Sequence, residues 1–189
     1  LLTLIREVYK INNLMHTGIW EKATGHLLKE MNVLLIGYGR IGKKVASILD
    51  VIGAKILVYD PILSDEDIPE DFKKVNLIEG ISKADIITLH SSGEDLILGE
   101  KEFALVKSGV YILNTARGNL IDENSLVSAL ISGRVAGAWL DTFKEEPYKG
   151  KLLNFEQVIL TPHIGSYTFE GRKQMEHDCV DNLLKGLGI

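Results

Sequence analysis

The amino-acid sequence predicts an α/β protein built on a doubly wound parallel sheet with helices on both faces, and three observations carry that prediction. Six short apolar segments, "NVLLIG", "KILVYD", "DIITLH", "VYILNT", "VAGAWLD" and "VILTPH", recur along the chain. Stretches of helical periodicity lie between them, the alternation expected when crossover helices join parallel strands. The first segment runs directly into the glycine-rich stretch from Gly37 to Gly42 and then into a helical pattern, the strand, turn and helix order of a Rossmann-type unit.

Taken in order, the chain opens with Leu1, Leu4, Ile5, Val8, Ile11, Leu14 and Met15 at helical spacing, without Met and without a capping residue ahead of them. The pattern predicts an amphipathic helix inside a longer protein. Residues 1–30 are expected to be a linker or dimerisation helix leading in from a further lobe. Residues 31–165 are expected to form the nucleotide-binding domain, and residues 166–189 a C-terminal helix covering Thr168 to Lys185. After the glycines, "RIGKKVASILDVIG" is helical and stops at Gly53, a residue suited to a C-terminal cap. The polar stretch Ser64 to Lys74 reads as loop. Short helices are expected around Leu77 to Lys83, Glu100 to Lys107 and Asp122 to Ser132, the last capped by Asp122 and Gly133. No Pro/Gly-rich linker divides the chain, and only the N-terminal helix reads as an appendage. Trp20 and Trp139 are taken as packing or interface residues.

The bulk numbers exclude several classes. The chain has 189 residues, and 26 acidic against 21 basic side chains give a formal charge of −5 without long single-sign blocks. That is not the footprint of a nucleic-acid or anionic-membrane binder. One cysteine, Cys179, cannot form an internal disulfide, which fits a cytoplasmic protein. The five histidines show no paired metal-ligand spacing with Cys179, so no metal is expected.

The stretch from Gly37 to Lys43 satisfies two phosphate-binding patterns, G-x-G-x-x-G and G-x-x-x-x-G-K. The second requires Ser or Thr after the Lys to coordinate magnesium, and Lys44 stands there. The first has all its parts. Gly37, Gly39 and Gly42 allow backbone to approach a pyrophosphate, and Arg40 and Ile41 open a helix whose free N–H groups face it. Asp60 ends the second strand 21 positions after Gly39, where a carboxylate accepts hydrogen bonds from the adenosine ribose and repels a 2′-phosphate. NAD is therefore the expected cofactor, in preference to NADP.

Three later stretches follow strands, where this fold binds its ligands: "NTARGNLID", "LDTFKEEP" and "TPHIGSYT". They offer Arg117, Glu146 and His163, a cation, a carboxylate and an imidazole able to exchange a proton near neutrality. Singly, each has a plain alternative as a surface ion pair, a solvated acid and a loop residue. Together, and in this order after G-x-G-x-x-G, the segments resemble the D-isomer-specific 2-hydroxyacid dehydrogenases, whose pattern is N-T-A-R-G, then L-D-V-F with an E-P pair, then T-P-H-I-G. "GIWEKATGHLL" resembles the G-x-W segment of that family. The resemblance implies that Arg117 holds the substrate carboxylate and carbonyl, that His163 does acid/base work with Glu146 as its partner, and that Asp141 and Thr115 lie near the cofactor. Asp141 at the nicotinamide carboxamide competes with a strand-end cap.

The segment "HSSGEDLILG" departs from the family's H-x-P-L-T-x-x-T, being about three residues shorter and lacking the Pro and Thr. His90 is read as a strand-end residue. The resemblance implies an NAD-dependent oxidoreductase acting on a small 2-oxo or 2-hydroxy acid, commonly a homodimer, with most substrate contacts on a further lobe. The chain alone is then expected to bind NADH without turnover. The alternative on the same scaffold is a non-catalytic NAD-sensing protein resembling the corepressors.

Overall fold

Apolar side chains that alternate along a strand emerge on opposite faces of a sheet, so a strand apolar at every position needs cover on both sides. The computed structural model, which describes residues 1–188, shows that arrangement. Its strands are β1 (Asn32–Ile36), β2 (Lys55–Tyr59), β3 (Lys73–Lys74), β4 (Ile86–Leu89), β5 (Val110–Asn114), β6 (Val135–Leu140) and β7 (Val158–Leu160). All pair in parallel, in the order β3-β2-β1-β4-β5-β6-β7. The helices are α1 (Leu2–Ile5), α2 (Val8–His16), α3 (Arg40–Val51), α4 (Leu77–Lys83), α5 (Glu100–Leu105), α6 (Glu123–Ile131) and α7 (Phe169–Leu187).

The two faces carry two cores. Leu34, Ile36, Ile87, Leu89 and Ile112 point to one side, against Ile81 of α4, Phe103 of α5 and Leu126 of α6. Val33, Leu35, Ile56, Val58 and Leu113 point to the other, against Ala46 and Leu49 of α3. The N-terminal cap of α6 falls where the sequence places it, and α7 has one of the same kind. Asp122 accepts a hydrogen bond from the Ser125 N–H at 2.8 Å, and Thr168 accepts one from Gly171 at 3.0 Å.

Two expectations need correction. The N-terminal helix is broken: Glu7 has φ 50° and separates α1 from α2, a backbone region that side chains with a Cβ avoid. The break lets α1 turn onto the second face of the sheet. There Leu4 and Ile5 are 1% and 0% exposed, and a Cβ on Gly137 of β6 would touch Leu4 at 3.1 Å. The start of the chain is thus core rather than appendage, and the apolar stripe is split between the sheet and solvent. The polar stretch Ser64 to Lys74 is not all loop, because Lys73–Lys74 pair with Leu57 and Val58 as a seventh strand. Of the two tryptophans, Trp139 is partly buried against the second core, and Trp20, 79% exposed, is left to the interface reading rather than to packing.

α7 runs to Leu187 rather than Lys185, and none of its residues is buried; Ile189, the end of the expected C-terminal segment, lies outside the described residues. No helix among the described residues is long and apolar enough to cross a membrane.

Burial of α1 sets a stability contrast along one short segment. Ile5→Ala should cost about 2–5 kcal/mol of unfolding free energy, the usual toll of truncating a buried aliphatic side chain. Val8→Ala, on the half-exposed face of α2, should change it by less than about 0.5 kcal/mol. Urea unfolding of both variants measures this, and equal effects would refute the packing role given to α1.

Candidate active site

The strand order reverses between β1 and β4, and a parallel sheet opens a crevice beyond its carboxyl ends at such a point. A cleft of about 1260 Å³ lies there, walled by the turns after β1, β2 and β4. Gly37 makes the first turn possible. Its φ is +94°, and a Cβ there would meet the Ser91 nitrogen at 2.7 Å, so only glycine fits. A Cβ on Gly42 would strike the carbonyl oxygen of Gly37, so this glycine lets α3 pack against the turn. Gly39 is different: its φ is −77°, and a Cβ there would meet nothing within 4 Å. Nothing in the fold requires glycine at that position, and the space it leaves is a cradle at the start of α3. The first turn of α3 has no side-chain cap, so its N–H groups are free for an anion. A dinucleotide pyrophosphate fits these features.

Arg40, Ile41 and Asp60 also line the cleft. Asp60 accepts the Tyr38 N–H at 2.9 Å on one oxygen and the Ile62 N–H at 3.0 Å on the other. It therefore ties the glycine turn to the loop after β2, and each oxygen keeps a further lone pair. His90 lines the cleft as well, with Nε2 3.0 Å from Thr88 Oγ1. Burial pushes its pKa from 6.5 down to about 4.

The other predicted residues gather beyond β5, β6 and β7. Asn114, 1% exposed, accepts the Ala116 N–H at 3.0 Å and donates to the Arg117 carbonyl at 2.8 Å, folding the turn that presents Arg117. The Arg117 side chain is exposed and donates to the Ala116 carbonyl at 2.7 Å. A Cβ on Gly118 would overlap the backbone of Phe143 and Lys144, so this turn lies directly against the loop bearing Glu146. Thr115 is half-buried at the end of β5.

Asp141 is the organiser of the group. Its carboxylate is 2% exposed and accepts Thr161 Oγ1 at 2.6 Å, the Ile164 N–H at 2.9 Å and the Gly165 N–H at 2.9 Å. Thr161 in turn accepts the Trp139 indole N–H at 3.0 Å. These bonds clamp both sides of His163, which sits at φ 53°. Its Nδ1 lies 3.1 Å from Glu146 Oε2, while Glu146 Oε1 accepts the Phe143 N–H at 3.0 Å. The Phe143 hydrogen bond, followed by the contact with His163, holds the Glu146 carboxyl below the usual range. The pair can give and take a proton at the outer ring nitrogen.

Sequence reasoning missed Asn114 and the connection from Trp139 through Thr161 to Asp141. An Asn at a strand end two residues before an unpaired N–H is a turn signal, so Asn114 was findable. The Thr161 link spans 20 residues and leaves no local pattern. The loop after His90, short of the family pattern, is still anchored: Ile97 and Leu98 donate to the Leu120 carbonyl at 2.9 and 3.0 Å.

Two outcomes follow. Gly39→Ala should leave stability within about 0.5 kcal/mol yet weaken NADH binding by about tenfold or more, since it fills only the cradle. Gly42→Ala should destabilise by about 1–3 kcal/mol. Calorimetric NADH titration beside thermal unfolding separates them, and undiminished NADH affinity in Gly39→Ala would remove the cradle.

The second outcome is a pH dependence. Because the neutral imidazole of His90 is favoured on folding, the unfolded chain takes up its proton first. Stability should fall as pH drops from about 6.5 to about 4, by up to about 3 kcal/mol. His90→Gln should flatten that part of the curve. An unchanged slope in the variant would show that His90 is not the group responsible.

Comparison with known proteins agrees with this geometry. The family model described as D-isomer specific 2-hydroxyacid dehydrogenase, NAD binding domain, matches residues 1–165. A hydroxypyruvate reductase of Thermotoga maritima is 35% identical over 100% of this chain and 64% of its own length. The crystal structure of a glyoxylate reductase from Paecilomyes thermophila superposes with a TM-score of 0.88 at 34% identity, covering 96% of this chain and 57% of that one. A D-lactate dehydrogenase from Aquifex aeolicus, solved with NAD and lactic acid, gives 0.90 at 27% identity over 99% and 63%. The chain thus spans 60–64% of the length of three such relatives and 57% of the glyoxylate reductase structure, under two thirds in each case. With the glycine cradle at the switch point and the match running through the His163 loop, the chain belongs to the D-isomer specific 2-hydroxyacid dehydrogenases, as their NAD-binding domain.

Proposed function

We propose that the protein containing this chain is an oxidoreductase that interconverts a D-2-hydroxy acid and its 2-oxo acid at C2. The observation that carries this is the His163–Glu146 pair at 3.1 Å, held beside the Arg117 turn on the sheet edge that also bears the cofactor cleft. When bound, NAD(H) accepts or supplies the hydride. The chain's own residues do the rest. Gly37, Gly39, Arg40, Ile41 and Gly42 hold the pyrophosphate, and Asp60 takes the ribose hydroxyls. Arg117 binds the substrate carboxylate and stabilises charge growing on the carbonyl oxygen. His163 delivers a proton to that oxygen or removes it, and Glu146 orients the ring and favours its charged form. Thr115 and Asp141 stand at the nicotinamide end, Asp141 through the loop it holds.

The same proposal covers the organisation of the whole protein. Residues 1–30 lead in from a substrate lobe, residues 31–165 bind the cofactor, and the C-terminal helix follows. Residues 1–30 also join two copies into a cytoplasmic homodimer. Leu2, Val8, Met15, Ile19 and Trp20 support the dimer, because together they leave an exposed apolar surface on that segment.

The test is NADH oxidation by the full-length protein with a panel of 2-oxo acids across pH. Reduction consumes a proton at the carbonyl oxygen, so the rate should fall as pH rises. Glu146→Gln removes the negative charge beside the ring, and the falling limb should move to lower pH. Tight NADH binding without turnover on any 2-oxo acid would refute the activity. A limb unmoved in Glu146→Gln would refute the pairing.

A further inference from the structure

Beneath the turn that carries Arg117 lies a second cavity, of about 340 Å³, with only Leu96 common to its wall and that of the cofactor cleft. Its wall comes from the turn after β5, the start of α6 and the chain just after β6. The volume falls at the small end of the ~300–1,000 Å³ typical of ligand sites. Thr142 lines it and is 4% exposed, and its Oγ1 is the one buried side-chain polar atom among the described residues without a hydrogen-bond partner. A buried hydroxyl left unpaired is costly. The L-D-V-F pattern carries valine at this position, which would fill the same space without the cost, so the hydroxyl is a feature of this chain.

The charges around Thr142 are of both signs. Lys144 lines the cavity and makes no ion pair among the described residues. Its charge reaches Asp122, whose carboxyl is held below the usual range first by Ser125 and also by Lys144. Asp122 uses Oδ1 for both bonds from Ser125, and Glu123 uses Oε1 for the Tyr148 hydroxyl and the Lys151 N–H. Among the described residues the second oxygen of each carboxylate takes no hydrogen bond and is free to accept one. A simple anion would meet two carboxylates, and a simple cation would meet the ammonium of Lys144.

We infer that this cavity is a binding site for a small zwitterionic amino acid, its carboxylate on Lys144 and the Thr142 hydroxyl and its ammonium on the free oxygens of Asp122 and Glu123. The site stands on the cavity alone and not on the redox activity proposed above. It touches that machinery, because Gly118 follows Arg117 directly and the Phe143 N–H holds Glu146, and both residues form part of the wall. An occupant would brace the two loops that present the acid/base pair and the cation.

The experiment titrates the chain with L-alanine and with two probes carrying one charge each, lactate and isopropylamine, read by calorimetry. L-alanine should bind in the millimolar range or tighter, and each single-charge probe about tenfold more weakly, as expected for loss of one charge-assisted contact. Lys144→Met should weaken L-alanine by about tenfold and Thr142→Val by a few-fold. NADH titration of each variant reports whether it is folded, and NADH titration of the unmutated chain tests the cofactor site separately. Absence of L-alanine binding to the unmutated chain, or equal binding of lactate, would overturn the inference. So would undiminished binding in both folded variants.

Discussion

A carboxylate taken out of water has to be surrounded by donors, and Asp141 meets that demand at 2% exposure with one hydroxyl and two backbone N–H groups. Burying an ion without such partners would cost far more than a protein of this size can spare. The need to satisfy Asp141 therefore dictates the path of the chain after β7. Ile164 and Gly165 must turn their N–H groups inward, and His163 takes up a left-handed backbone conformation just before them. Its ring is left at the surface, where Glu146 meets it. The residue that places the imidazole is thus a buried acid that never touches it.

The other half of the edge is governed by close approach rather than charge. Gly37 and Gly42 are where backbone meets backbone at the foot of α3, and Gly118 is where the Arg117 turn meets the loop of Glu146. At each, a single methyl group would force apart segments whose spacing sets the site. Gly39 lies among them without any such constraint, which separates a glycine kept for the fold from one kept for what the fold holds.

The sheet was legible in the sequence because buried parallel strands are apolar at nearly every position, and the switch-point cleft followed from the glycines and Asp60. The motif order also pointed to a partnership of Glu146 with His163, and the structure brings those two side chains within 3.1 Å. What escaped depends on long-range geometry. The break at Glu7 carries no Pro or Gly, so the periodicity of Leu1 to Met15 reads through it, and only the sheet's need for cover on its second face reveals why α1 separates from α2. β3 is two lysines that pair because β2 presents an open edge. Thr142 sits in a motif whose pattern carries valine, and its unpaired hydroxyl becomes visible only when its surroundings are counted.

The pair itself shows what positioning leaves undone. The side chains of His163 and Glu146 are 54% and 39% exposed, and an ion pair in that environment contributes little because water screens it. The same two groups under a cover that excludes water would interact far more strongly, since the Coulomb term scales inversely with the local dielectric. The chain thus fixes direction and distance at modest energetic gain, while the strength of the acid depends on what closes over the sheet edge. In the function proposed above, a substrate bound over the pair would supply part of that closure at the moment the proton is needed. This division explains how the pair can be fixed in distance and direction and still stand open to solvent.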